Sequence, residues 1–570
     1  MNVEARLLTG LTLLSLAVFS FAGAYQPPTY NFEDAAQITH DGKGAIASGN
    51  SIATQLGLDA FARGGNAIDA AAAVAFGLGV VDSANSGIGG GCFILIHWAD
   101  GTIEAIDGRE MAPHKATKDL FLVKGKYEPQ LSKTGALAIG VPGSVAALEY
   151  IVQKGGKLKW KDAILPAATI AEKGYVVGDY YSKRFSRYSE QLSLFPETAK
   201  IFLNEKGAAW APEHVLKQKD LASTYRKIAK KGSAYFYKGD FAEKVESWMK
   251  QNGGIVSAED FERYQTLVRQ PVKTSFKGYT ILGFPPPSSG GTHVGQILNI
   301  LENYPLNKLS SVDRYHYTIE AMKLAFADRA FWMGDADFVD VPTGLVDKSY
   351  ALSLGKTINP LKANEVKGHG TPPDAATKIF NRHTTHLTVA DKEGNWVAIT
   401  TTINTGFGSK VVIPGTGVLM NNQMDDFTGK AGSANIAGLV GYDANLVEAR
   451  KRPLSSMSPT IVLKEGKPVL AVGAAGGPTI ITQVVQTLLN TLALDMPLEQ
   501  AMAEPRVHNQ WRPERTLVDA FIDAGLRKKL SDRGHTLVDW PAFGGTQAIS
   551  LEDGKFIPVT EPRLKARMDF

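Results

Sequence analysis

The chain is predicted to be an α+β protein on three observations. Two hairpin patterns, Thr384 to Ile403 and Thr460 to Val472, each place an apolar run on either side of a short polar, glycine-containing turn. A strand, helix, strand order spans Gly42 to Ile106. Residues 140–265 carry helical periodicity with lysine-rich faces, a helical lobe.

In chain order, residues 1–24 come first: Arg6, an apolar run from Leu7 to Phe21, and the small-x-small ending Ala22-Gly23-Ala24. This is the pattern of a secretory signal peptide cut after Ala24, with an uncleaved anchor as the alternative. The run falls short of the roughly 20 apolar residues that span a bilayer. Export to a secreted, periplasmic location is therefore expected, with no membrane contact once the signal is removed.

Gly44 to Ser48 reads as a strand, and the alanine run behind Gly65-Asn66-Ala-Ile-Asp69 as a helix. Asn66 caps that helix and Asp69 supports its first turn. Cys92 to His97 reads as the next strand, with the glycines before it marking tight turns. Cys92 is the only cysteine, so no internal disulfide forms, and it is expected to be a packed strand residue. Helices follow over Ser144 to Lys154, Trp160 to Lys173 and Asp240 to Asn252. Gly283 to Gly291, rich in proline and serine, breaks regular structure before helices at His293 to Asn303 and Ser311 to Met333. Residues 345–383, with Pro360, Gly368, Gly370, Pro372 and Pro373, read as an exposed linker. After the second hairpin, Gly476-Gly477-Pro478 opens a helix from Thr479 to Leu492.

The 61 basic and 57 acidic residues leave a net charge of +4 without long runs, which excludes an electrostatic footprint for nucleic acid or anionic lipid. With 44% hydrophobic residues the chain can build one very large core or two to three smaller ones. The sequence has no Gly-x-Ser-x-Gly elbow, P-loop or His-Glu-x-x-His motif. His383 and His386 stand three apart on a strand and point to opposite faces, so they share no metal.

Thr384-Thr385 at the head of the first hairpin is the strongest chemical signal. A threonine freed as a chain N-terminus carries its own base, an α-amine of pKa about 7.7 to 8. Gly476 and Gly477, at a helix start, offer backbone N–H groups to an oxyanion. The expectation is a chain that cuts itself between His383 and Thr384.

Eight ordered motifs carry a family resemblance. They are Gly65-Asn-Ala-Ile-Asp69, Ser86-Gly-Ile-Gly-Gly-Gly91, Asp107-Gly-Arg109-Glu-Met-Ala-Pro113, Pro285-Pro-Pro-Ser-Ser-Gly-Gly291, Thr384-Thr-His386, Asn421-Asn-Gln-Met-Asp-Asp-Phe427, Arg452-Pro-Leu-Ser-Ser-Met-Ser-Pro459 and Gly476-Gly477. In these the chain resembles the γ-glutamyltranspeptidases, N-terminal nucleophile hydrolases made as one precursor.

The resemblance implies a four-layer αββα sandwich built from two autocleaved subunits: a large one, residues 25–383, holding the helical lobe, and a small catalytic one, residues 384–570. It implies Thr384 as nucleophile, oriented by Thr402, with Gly476 and Gly477 as oxyanion donors. Arg109, Ser455 and Ser456 would take the α-carboxylate of a γ-glutamyl group, and Asn404, Gln423 and Asp426 its α-ammonium. Glutathione and other γ-glutamyl compounds would be donors, amino acids or dipeptides acceptors, and no metal or organic cofactor is required. The segment Asp426 to Arg452 matches a lid, but Ala437 stands where some members place an aromatic gate.

Two alternatives stay open at this level. A cephalosporin (glutaryl) acylase of the same fold would leave Asp426 idle or repulsive. A non-catalytic secreted binding protein would keep an intact chain.

Overall fold

The structure, a computed structural model, describes residues 25–374, 385–540 and 543–568. Two antiparallel sheets lie at its centre. The first runs Ala36–Ile38, Gly44–Ser48, Thr385–Asp391, Trp396–Thr402, Gly91–His97, Ile103–Gly108, Leu267–Arg269. The second runs Val272–Phe276, Tyr279–Gly283, Thr460–Lys464, Lys467–Gly473, Gln547–Glu552, Lys555–Thr560. Both sheets draw strands from before and after residue 384.

Side-chain alternation sorts each central strand between two cores. In Gly91–His97, Phe93 and Leu95 face the second sheet, while Cys92, Ile94 and Ile96 face helices. In Trp396–Thr402, Trp396 and Ala398 point inward, and Val397 and Ile399 outward. Phe93 stacks on Phe284 across the sheets at 4.0 Å between centroids. With both faces covered, these strands read as continuous apolar runs.

Helices close both outer faces. Ser51–Ala62 and Ala67–Val81 cover the first sheet; Gly290–Leu301, Ser311–Trp332 and Thr479–Leu492 cover the second. The result is the four-layer αββα sandwich. All 15 residues of Ala67–Val81 are buried, which explains its alanines: larger side chains would hold the neighbouring layers apart. Its start is a capping box. Asn66 Oδ1 accepts from the N–H groups of Ile68 and Asp69, and Asp69 Oδ2 from that of Asn66. Cys92 is a buried strand residue, as its sequence context indicates. The lobe contains Ser144–Gly155, Trp160–Lys173 and Asp240–Gln251, plus Asp179–Ser193 and Lys219–Lys231, which the sequence pattern did not reveal.

One expectation needs correction. Residues 345–374 are not simply an exposed linker: Lys348–Gly355 is a helix capped by Asp347, and Tyr350, Ala351 and Leu354 join the second outer core. Residues 375–383 lie outside the described residues. The glycines at 89 and 90 lie in the expected turn, the Gly90 N–H donating to the Gly87 carbonyl at 3.1 Å, and they also serve close approach. A Cβ on Gly89 would stand 2.1 Å from the Leu419 carbonyl oxygen, and one on Gly90 1.8 Å from that of Thr402.

Candidate active site

The central strands Thr385–Asp391 and Trp396–Thr402 start and end side by side, with Thr385 opposite Thr401. Thr384 and His383 lie outside the described residues. Thr385 Oγ1 donates to Asp82 Oδ2 at 3.1 Å, and Asp82 Oδ1 accepts from Asn85 Nδ2 at 2.6 Å and from the Tyr181 hydroxyl. Burial pushes the Asp82 carboxyl up, against the pull of Tyr181, Arg184, Asn85 and Thr385. These residues line a cavity of about 910 Å³, whose wall also holds Asn404, Ala437 and Gly476.

Thr402 Oγ1 accepts from the Asn404 N–H at 2.8 Å, which holds the turn after the strand. Asn404 sits at φ +74°, and its Nδ2 donates to the Asn422 carbonyl at 2.9 Å. Its Oδ1 is buried with no partner among the described residues, an acceptor in the cavity wall.

Gly476 and Gly477 have φ of +128° and +66°, conformations that favour glycine. The Gly476 carbonyl accepts from Thr479 Oγ1 at 2.8 Å, and that of Gly477 from the Ile480 N–H at 3.1 Å. The carbonyls are thus tied back to the helix Thr479–Leu492. Among the described residues no acceptor takes either glycine N–H, so both donors stand at the positive end of that helix.

The charged group is a separate, fully buried cluster. Arg109 Nη2 donates to Asp426 Oδ2 at 2.5 Å, as does Gln423 Nε2 at 2.5 Å. Arg109 Nε reaches the Pro453 carbonyl at 2.9 Å and Nη2 that of Leu454 at 3.0 Å, anchoring the guanidinium to the segment that continues into Ser455 and Ser456. The Arg109 N–H donates to Asp107 Oδ1. Burial pushes Asp107 up, but the guanidiniums of Arg452 and Arg269 outweigh it and hold the carboxyl below its usual range. Ser455 Oγ accepts from the Met457 N–H at 3.1 Å, and Ser456 Oγ from Arg329 Nη2 at 2.9 Å.

Of the nine proposed site residues other than the cleavage pair, Asn404 and Gly476 are therefore in the cavity wall. Arg109, Gln423 and Asp426 form one cluster, reached from Asn404 through Asn422, and Ser455 and Ser456 adjoin it. Sequence reasoning missed Asp82, Tyr181, Glu110 and Arg329. Glu110 lies inside the quoted motif Asp107 to Pro113 and Asp82 four residues before the motif at Ser86, which was the one signal available. Glu110 is buried 3.4 Å from Arg109 Nη1, in space that a Gly91 Cβ would fill. Burial pushes its carboxyl up to about 8, Arg109 pulling the other way. His386 is satisfied by Thr400 and Thr388, and burial pushes it down to about 3, so it is a neutral core residue.

Paired sheets under two helical layers, with a threonine strand opening on a cavity beside a helix N-terminus, define a hydrolase fold of the N-terminal nucleophile class. The family profile described as gamma-glutamyltranspeptidase matches residues 53–568. A glutathione hydrolase proenzyme of Pseudomonas sp. (strain A14) is 43% identical, covering 97% of this chain and 96% of that protein. The crystal structure of Helicobacter pylori gamma-glutamyltranspeptidase is 42% identical with a TM-score of 0.54, over 56% of this chain and 92% of that one. The cephalosporin acylase of Bacillus halodurans overlays with a TM-score of 0.83 at 27% identity, over 96% and 98% of the two chains. The chain belongs to the gamma-glutamyltranspeptidase family. Its activity class is that of the family, γ-glutamyl transfer and glutathione hydrolysis by an N-terminal nucleophile enzyme. Among the described residues no helix is long and apolar enough to cross a membrane.

Proposed function

We propose that the chain is exported to the periplasm, cuts itself before Thr384, and transfers γ-glutamyl groups from glutathione and related amides to water, amino acids or dipeptides. The carrying observation is the buried Arg109–Asp426 pair with Gln423 on the same carboxylate oxygen. An α-amino acid head group has its own carboxylate and ammonium on one carbon. A cation and an anion held this close, with Ser455, Ser456 and Asn404 around them, suit both ends at once.

In the precursor, the Thr384 hydroxyl adds to the His383 carbonyl. The C–N bond breaks as the acyl group passes to oxygen, and water then cleaves the ester. This leaves the His383 carboxylate and a Thr384 with a free amine. Thr385, the residue that follows Thr384 in the chain, lies in the cavity wall.

In turnover, the amine takes the hydroxyl proton as oxygen attacks the γ-carbonyl. The oxyanion is held by the Gly476 and Gly477 N–H groups. The departing amine takes the proton back, leaving a γ-glutamyl ester. Water or an acceptor amine then repeats the steps in reverse order. The large subunit would span residues 25–383 and the small one 384–570.

The test compares γ-glutamyl-p-nitroanilide with glutaryl-p-nitroanilide, which lacks the ammonium. Preferential cleavage of the first supports the reading. Preference for the second would instead favour a glutaryl acylase.

A further inference from the structure

We propose that His316, Glu320 and His535 form a site for one divalent transition-metal ion of the zinc type, joining the chain before residue 384 to the chain after it. The site is separate from the cavity and does not depend on the catalytic reading. His316 and Glu320 lie four residues apart on Ser311–Trp332, hence on one helical face. His535, 219 residues from His316, follows the helix Ala524–Asp532. All three are buried, and one ligand atom from each falls within 4.8 Å of the others.

The hydrogen bonds fix where the lone pairs point. His316 Nε2 lies 2.7 Å from the Asn359 carbonyl oxygen, which only accepts, so this nitrogen carries the proton. His316 Nδ1 is then a lone pair turned into the cluster, the arrangement in which an outer carbonyl orients a metal-binding imidazole. His535 Nε2, 2.8 Å away, must donate to it. That leaves His535 Nδ1 as a second lone pair, buried and without a partner among the described residues, facing Glu320 Oε1 at 3.9 Å. Acceptors thus converge with too few protons among them, an arrangement that a cation between them relieves.

Two imidazoles and a carboxylate are a ligand set zinc uses, with bonds of about 2.0–2.2 Å. Tetrahedral ligand atoms then stand about 3.3 Å apart. The two rings have to separate slightly and the carboxylate to close in, movements within reach of side-chain torsions. On binding through Nε2, His535 moves its proton to Nδ1, on the Glu320 side, so no proton is released.

Lys323 opposes the ion. Its Nζ lies 2.8 Å from Glu320 Oε1 and donates to the Asn364 carbonyl at 3.0 Å. Glu320 Oε2 accepts from the Asn364 N–H at 3.1 Å. Arg533 is held away by Asp313 at 2.6 Å. Affinity is therefore moderate, and removing the Lys323 charge should tighten it.

The test is a Co²⁺ titration of the purified, chelator-stripped protein, read by visible d–d absorption, beside His316→Gln, Glu320→Gln, His535→Gln and Lys323→Met. The expected result is one Co²⁺ per chain, a Kd at least tenfold weaker in each ligand variant, tighter binding in Lys323→Met, and a Zn²⁺-dependent rise in Tm seen only with the ligands intact. Activity on γ-glutamyl-p-nitroanilide should stay unchanged. Wild-type protein that takes up no stoichiometric Co²⁺ would overturn the proposal without reference to any variant. Uptake that persists undiminished in the folded ligand variants would overturn it equally.

Discussion

Replacing Asp426 by asparagine isolates the charge that separates a γ-glutamyl site from a glutaryl one. Asparagine keeps the shape, and its side-chain oxygen can still accept from Arg109 Nη2 and Gln423 Nε2, each 2.5 Å from Asp426 Oδ2. What is lost is the negative charge, in a place with no solvent access. Every donor shares one part of the cost, because Arg109 loses a buried counter-charge. The other part falls only on donors with an α-ammonium. A hydrogen bond to a charged group contributes about 1.5–3 kcal/mol, so the variant should lose roughly 10- to 150-fold more kcat/KM on γ-glutamyl-p-nitroanilide than on glutaryl-p-nitroanilide. The assay is p-nitroaniline release from both donors by wild type and Asp426→Asn. Equal losses on the two donors would refute the assignment of Asp426 to the ammonium.

Glu110 supplies a pH signature. Its carboxyl, pushed from 4.5 up to about 8, gives stability that is fully present below about pH 4.5 and lost as pH rises through about 8. Thermal melts across that range should show wild type losing Tm relative to Glu110→Gln, and parallel profiles would contradict the burial argument. Gly90→Ala places a Cβ 1.8 Å from the Thr402 carbonyl oxygen, backbone that cannot step aside. The loss should reach at least the ~1–3 kcal/mol of an overpacked core, read as a lower denaturant midpoint or insoluble protein. Asp82→Ala removes the acceptor of Thr385 Oγ1 and the Tyr181 hydroxyl, so slower self-cleavage is expected, followed as intact chain on denaturing gels. Ala437→Tyr adds bulk to the cavity wall and should slow donors with large leaving groups more than glutathione. Equal rates across a leaving-group series would exclude a role for position 437.

Much of the fold was legible where local chemistry and tertiary packing agree. The hairpin around Asp391 and Gly394 announces itself by its turn and by apolar strands that both cores require. The Asn66 cap shows because its partners lie within three residues. Arg109 and Asp426, 317 residues apart, could be named together only through a family resemblance. Long-range polar partners left no comparable trace. Asp82 meets Thr385 across 303 residues, and Arg329 meets Ser456 across 127. The helix Lys348–Gly355 was hidden by the prolines and glycines that follow it, although Asp347 caps it correctly. Gly89 and Gly90 were legible as turn residues, but sequence does not show which carbonyls will press against them.

The central claim is a threonine that becomes an N-terminus and then a nucleophile. Denaturing mass analysis of the purified wild-type protein beside Thr384→Ala tests it most directly. The account predicts two wild-type fragments with their boundary between His383 and Thr384, and one uncut chain in the variant. An uncut wild-type chain, or a variant cut at the same place, would contradict it.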